Sequence, residues 1–144
     1  MSAVLSSSLP VNPNKTLWEK GDFTRIAESM RESGEALVKG LGITKGLKVL
    51  DVGCGDGTTA LPEARLGADV LGVDIASNLV AAGNKRAREQ GLTNCRFQEG
   101  DACSLHELKN HSFDVRRAKA ALSSGCKSHP AKCSSRKQPE QLRR

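Results

Sequence analysis

The residues best suited to chemistry are three glycines and two carboxylates. Gly53, Gly55 and Gly57 close the stretch VLDVGCGDG, Asp51 stands two positions before the first glycine, and Asp74 ends the run ADVLGVD. Glycines at the end of a strand let backbone amides come close to a ligand, with a helix N-terminus behind them. A carboxylate at the end of the next strand can accept hydrogen bonds from both hydroxyls of a ribose. The register Gly55, Gly57, Ala60 also satisfies G-x-G-x-x-A, so these residues alone would admit a dinucleotide.

Such a loop needs strands to carry it. LKVLDVG and ADVLGVD are short apolar runs, and near-continuous apolarity fits strands covered on both faces, as in a parallel sheet. Between them the sequence predicts a short helix from Thr58 to Leu66, ended by Gly67, with Pro62 tolerable near the first turn. A further helix is expected from a Ser77 cap to about Gln90, with Gly91 as its stop. NCRFQEGD reads as a third strand, SLHELKN as a short helix, and Phe113 begins a fourth strand. Ahead of these, Phe23, Ile26, Ala27, Met30, Leu37, Val38 and Leu41 recur at helical spacing, capped by Asp22 and ended by Gly40 and Gly42. Strand and helix alternate, which argues for a doubly wound α/β sheet.

LDVGCGDG, VLGVDIA and FQEGDA, in this order, resemble the first three motifs of class I S-adenosylmethionine-dependent methyltransferases. LWEKGDFTRIAESM resembles the lead-in helix of the small-molecule type that serves ubiquinone and menaquinone biosynthesis. The resemblance implies a Rossmann-like sheet and S-adenosyl-L-methionine as cofactor. It places Gly53, Gly55 and Gly57 around the methionine part, Asp51 near the ammonium, Asp74 on the ribose, and Ile75, Asp101 and Ala102 along the adenine. Cys54, within the loop, counts among the cofactor-binding residues and packs as a small apolar side chain. A sulfonium ligand brings no phosphates, in keeping with the absence of Lys and Arg from Val49 to Glu63. The implied reaction is methyl transfer to a small-molecule acceptor, and no residue matches a general-base motif. A non-catalytic cofactor-binding module whose basic tail meets an acidic partner is the alternative, followed by a nicotinamide-binding Rossmann protein.

Charge divides the 144 residues. The net charge is +6, yet residues 1–115 hold 13 basic and 15 acidic residues, whereas 116–144 hold nine basic and one acidic. After FDV come Arg116, Arg117 and Lys119, and unpaired charges would cost several kcal/mol each in a central strand. The expectation is therefore a stub of a fourth strand, stopping early or lying at an edge. Residues 1–16 are expected to form a flexible arm, 17–115 a partial methyltransferase domain truncated after its third motif, and 116–144 a disordered basic tail, of the kind a shifted reading frame or alternative splice would leave. That tail has no aromatic residue to stack on bases, which disfavours nucleic acid. An unpaired edge beside the first strand would favour self-association. Five cysteines, no basic-then-apolar leader and no apolar run long enough for a bilayer point to a reducing cytoplasm. Cys103 and His106, with Cys126, His129 and Cys133, are spaced like zinc-ligand pairs but straddle the tail, so no metal is expected. Trp18 is suited either to a lid over the cofactor or to the core.

Overall fold

Side chains alternate across a strand, so the apolar runs must find cover on two faces. In the computed structural model, which describes residues 12–105, 108 and 112–118, four strands form one parallel sheet in the order β3-β2-β1-β4. They are β1 (Lys48–Val52), β2 (Asp69–Asp74), β3 (Cys95–Glu99) and β4 (Val115–Ala118). The register aligns Val115, Val49, Val70 and Cys95 in one row across all four strands. That row packs under the helical face, with Leu61, Ala64 and Phe97 in the same cluster. One residue along, Leu50 and Leu71 face the other way toward Leu105, Leu108 and Phe113. There Leu50, Leu105, Leu108 and Phe113 border a groove of about 290 Å³ that also takes in Val52 and Ala118, on the sheet face away from the helices. With β2 and β3 on one side of β1 and β4 on the other, the strand order reverses between β1 and β4, the kind of place where such sheets bind ligands.

Three glycines from separate elements make room for one ring. A Cβ on Gly57, Gly72 or Gly83 would come within 2.8, 2.6 and 3.0 Å of the Phe97 ring. Phe97 is also held through its backbone, because Asn84 accepts from its amide at 3.0 Å and donates to its carbonyl at 2.9 Å. An asparagine inside α5 (Ser77–Glu89) thereby satisfies backbone groups of the edge strand β3.

Several expectations change in the structure. The long N-terminal helix is two, α2 (Phe23–Ser29) and α3 (Arg31–Gly40), after a first short helix α1 (Asn14–Glu19). α3 is pinned where Gly34 meets the backbone of Thr58, whereas α2 turns toward α5, and Met30 carries the break. The apolar stripe is consequently not a core face: Val38 is buried, but Ile26, Met30, Leu37 and Leu41 are exposed. Asp22 does stand at the start of α2, yet its carboxylate meets the Thr24 hydroxyl and no helix amide. Trp18 neither enters the core nor stands alone; it tilts against Phe23 with ring centroids 5.0 Å apart. Ser77 is the first residue of α5 and not its cap. Its amide and hydroxyl both donate to Glu19 Oε1, at 3.0 and 2.7 Å, so the cap comes from α1. The helix between β1 and β2 is α4 (Ala60–Arg65), shorter than expected, with Pro62 in its first turn.

α1 begins at Asn14, ahead of residue 17, and β4 runs to Ala118, past residue 115. Arg116 and Arg117 both lie inside the edge strand β4: Arg116 is exposed, and Arg117 is held by a charge pairing described below. Beyond Ala118, the disorder expected of the tail concerns residues outside the described set. So do His106, His129, Cys126 and Cys133 of the zinc-like pattern, and most of SLHELKN, of which Leu108 closes a turn onto Leu105. Among the described residues no helix is long and apolar enough to cross a membrane.

The tightness at Gly34 makes a test. A Cβ there would sit 2.5 Å from the Thr58 carbonyl oxygen, a backbone atom that can move only with the glycine loop. Gly34→Ala is expected to cost about 1–3 kcal/mol of stability, as overpacking does. Denaturant unfolding checks it, and an alanine variant as stable as the parent would refute the contact.

Candidate functional site

At the end of β1 the chain turns over the end of β2, where the amides of Gly53 and Cys54 both donate to Val73 O, at 2.7 and 3.2 Å. Gly53, Gly55 and Gly57 follow with φ of 71°, 57° and 91°, a backbone region costly for other residues. The last two glycines do different things. A Cβ on Gly55 would meet nothing within 4 Å, so this position opens onto free space. Gly57 instead faces Leu61 and Phe97 in the core, so its lack of a side chain serves packing. Cys54 is wholly buried beneath the loop, its Sγ 3.5 Å from the Gly55 carbonyl.

Asp74, at the end of β2, ties this loop to the next helix. Its Oδ2 accepts from the Gly55 amide at 2.8 Å and its Oδ1 from the Ala76 amide at 3.0 Å. A carboxylate oxygen can accept more than one hydrogen bond, so both remain able to receive another donor from the cleft. Ile75 is half-buried beside it. Asp101 follows the end of β3 and Ala102 is exposed next to it. Burial pushes the Asp101 carboxyl up, but hydrogen bonds from the Cys103 amide and the Asn12 side chain, each at 2.9 Å, outweigh it and hold the group below its ordinary value. Asn12 stands just ahead of α1. With the Lys15–Glu99 ion pair and Glu19 on Ser77, it binds the first helix across the carboxyl ends of β2 and β3.

Asp51 lies deeper than its neighbours in the motif. It is fully buried on the helical face of β1, where Oδ2 accepts from the Thr59 hydroxyl at 2.8 Å and Oδ1 has no hydrogen-bond partner among the described residues. Register places Arg117 of β4 directly beside it. The guanidinium reaches Asp51 Oδ2 at 2.9 Å and Glu63 Oε1 of α4 at 2.9 Å, close ion pairs without hydrogen-bond alignment. Two buried carboxylates thus share one cation. Burial pushes the Glu63 carboxyl up to about 7, against the pull of Arg117 and with the push of Asp51. Arg117 therefore enters β4 with its charge paired, and β4 lies at the edge of the sheet, one of the two outcomes expected for this strand.

The nine residues singled out from sequence lie in or beside the carboxyl ends of β1, β2 and β3: Asp51, Gly53, Cys54, Gly55, Gly57, Asp74, Ile75, Asp101 and Ala102. Sequence reading missed Glu63 and Arg117, and also Asp56 and Arg86 behind the loop. Their partners lie 12 to 66 positions away, beyond the reach of any local pattern.

The sequence pattern of a methyltransferase domain family matches residues 43–139. An uncharacterised protein of Mycobacterium tuberculosis is 39% identical over 103 residues, which are 71% of this chain and 37% of that protein. The ubiquinone biosynthesis O-methyltransferase of Maricaulis maris is 44% identical over 71 residues, 49% of this chain and 28% of that enzyme. Among solved structures, magnesium protoporphyrin IX methyltransferase from Synechocystis PCC 6803 with bound SAH superposes with a TM-score of 0.51 at 30% identity, covering 65% of this chain and 42% of that one. The chain spans less than half the length of each of these relatives. A parallel sheet in the order β3-β2-β1-β4, a three-glycine loop at its switch point and a family match over two thirds of the residues agree: the chain belongs to the methyltransferase domain family.

Proposed function

We propose that the cleft at the ends of β1, β2 and β3 binds S-adenosyl-L-methionine and that the function is methyl transfer to a small-molecule acceptor. The observation that carries this reading is the junction at Gly55. There the loop opens onto free space while Asp74 grips its amide at 2.8 Å and keeps acceptor capacity toward the cleft. The residues fit the ligand. The buried Oδ1 of Asp51, which has no hydrogen-bond partner among the described residues, suits a cationic amino acid end. Asp74 suits a ribose diol, and Ile75, Asp101 and Ala102 border the place for an aromatic base. The relative of known structure with bound SAH supports the same assignment.

When bound, S-adenosylmethionine supplies a methyl group on a positively charged sulfur, already activated for displacement. The residues described here would bind and orient it and exclude water; catalysis of this type comes mainly from alignment. Similarity to ubiquinone biosynthesis O-methyltransferases favours a phenolic or quinol-like acceptor. The setting we assign is a reducing cytoplasm, in keeping with buried thiols at Cys54 and Cys95, the latter pushed up to about 12 by burial.

Calorimetric titration with S-adenosylhomocysteine, and with NADH in competition, tests the reading. Asp74→Ala should weaken S-adenosylhomocysteine binding about 10- to 100-fold, the value of one or two hydrogen bonds to a charged group. NADH binding in preference, or an alanine variant with parental affinity in a folded chain, would refute it.

A further inference from the structure

Behind the glycine loop lies a second charged group that ligand contact does not require. Asp56 sits between Gly55 and Gly57, but its carboxylate turns inward and is only 1% exposed. Arg86 of α5 holds it in two ways, with Nη1 donating to the Asp56 carbonyl at 2.9 Å and lying 3.1 Å from Oδ2. Arg31 of α3 places a second guanidinium 3.8 Å from the same oxygen, and the Thr58 hydroxyl stands 3.5 Å from Oδ1. The peptide between Asp56 and Gly57 is therefore oriented by an arginine from a helix on the far side of β2. A buried charge so held resists displacement, since freeing it would strand it without a partner.

We propose that Arg86 is a positioning residue for the cofactor loop: by gripping both the carboxylate and the carbonyl of Asp56 it holds Gly55 and Gly57 in their left-handed conformations, ready for ligand. The inference rests on the reading that this loop meets S-adenosylmethionine, but the loop geometry it concerns exists without ligand. Two glycines in succession around one residue give the loop wide freedom; Asp74 restrains it at the Gly55 amide, and Arg86 restrains it at Asp56, between the two glycines. Arg31 adds charge from α3 without touching the carbonyl, so its share is smaller. Preorganisation of this kind raises affinity because less order has to be imposed on binding.

The test compares Arg86→Met and Arg86→Lys in the full chain by three readouts: amide proton–nitrogen shifts of Gly55 and Gly57 without ligand, S-adenosylhomocysteine affinity, and the urea midpoint. Arg86→Met should shift or broaden both glycine amides and lower affinity about tenfold or more. Arg86→Lys, which restores the charge but not the fork, should recover part of each. Should Arg86→Met fail to fold, Asp56→Asn with Arg86→Met removes the stranded charge and should still show the altered glycine amides. Unchanged Gly55 and Gly57 amides in the methionine variant, or a lower urea midpoint with unchanged affinity, would overturn the proposal. Absence of binding in the parent chain would refute the cofactor reading alone, and the ligand-free amide shifts would still decide the role of Arg86.

Discussion

Replacing Arg117 with methionine will lower the unfolding free energy by about 3–5 kcal/mol, the cost of removing one partner from a buried ion pair. The side chain is 16% exposed and stands 2.9 Å from both Asp51 and Glu63, which are 0% exposed. Taking the cation away leaves two carboxylates facing each other in the interior. Methionine restores most of the volume, so the loss is one of charge and not of packing. Arg117→Met combined with Asp51→Asn and Glu63→Gln should regain much of the stability, since polar groups of no net charge need no counter-ion. Urea unfolding followed by circular dichroism measures both. A loss below about 1 kcal/mol in the single variant would place Arg117 outside the buried group, as a surface arginine would behave. The site should respond as well, because β4 is joined to β1 beside Asp51, next to the loop.

Stability will also fall as pH rises through neutrality, through Glu63. Its carboxyl is raised in the folded chain from the ordinary 4.5 to about 7, first by burial and then by Asp51, with Arg117 opposing. Between those values the folded state holds a proton that the unfolded state has released, so the unfolding free energy decreases with pH. The contribution is complete below pH 4.5, declines from there, and is gone above pH 7. The span corresponds to about 3 kcal/mol at about 1.4 kcal/mol per unit. Glu63→Gln should remove this slope and make the variant more stable than the parent at pH 8, with little difference at pH 4.5. Subtracting the two pH profiles cancels the opposite trend of Glu19, Glu35 and Asp101, whose lowered values cost stability at acid pH. Parallel profiles for parent and variant would show that the Glu63 carboxyl titrates alike in the folded and unfolded chains. Arg117→Met should carry the parental decline to higher pH, since it removes the group that holds Glu63 down.

These two effects share a feature that explains where sequence reading succeeded. The runs VLDV and DVLGVD became β1 and β2, the third strand and the start of the fourth were found, and Gly67 and Gly91 ended their helices with positive φ. Each of these depends on a few adjacent residues. Reading failed where a residue's fate depended on a distant one. Asp22 stands at the cap position but its carboxylate caps no amide, Ser77 found its acceptor on α1, and the exposed Ile26, Met30 and Leu37 show that a helical stripe does not by itself bring a partner.

The candidate site divides in the same way. The glycine loop and Asp74 were legible because positive φ and a carboxylate at a strand end leave a local signature. The same two glycines could not be told apart until Gly55 was seen to open onto space and Gly57 to touch Phe97, 40 positions later. From the sequence alone came the alternation of strands and helices, the family resemblance and the residues of the proposed ligand cleft, since backbone conformation and hydrophobic period are written in neighbouring residues. Tertiary structure alone decided that Arg117 would be drawn inward between two buried carboxylates and that the Glu63 carboxyl would rise to about 7. The energy of a charge is set by what surrounds it in space, and here that surrounding comes from β1, α4 and β4 together.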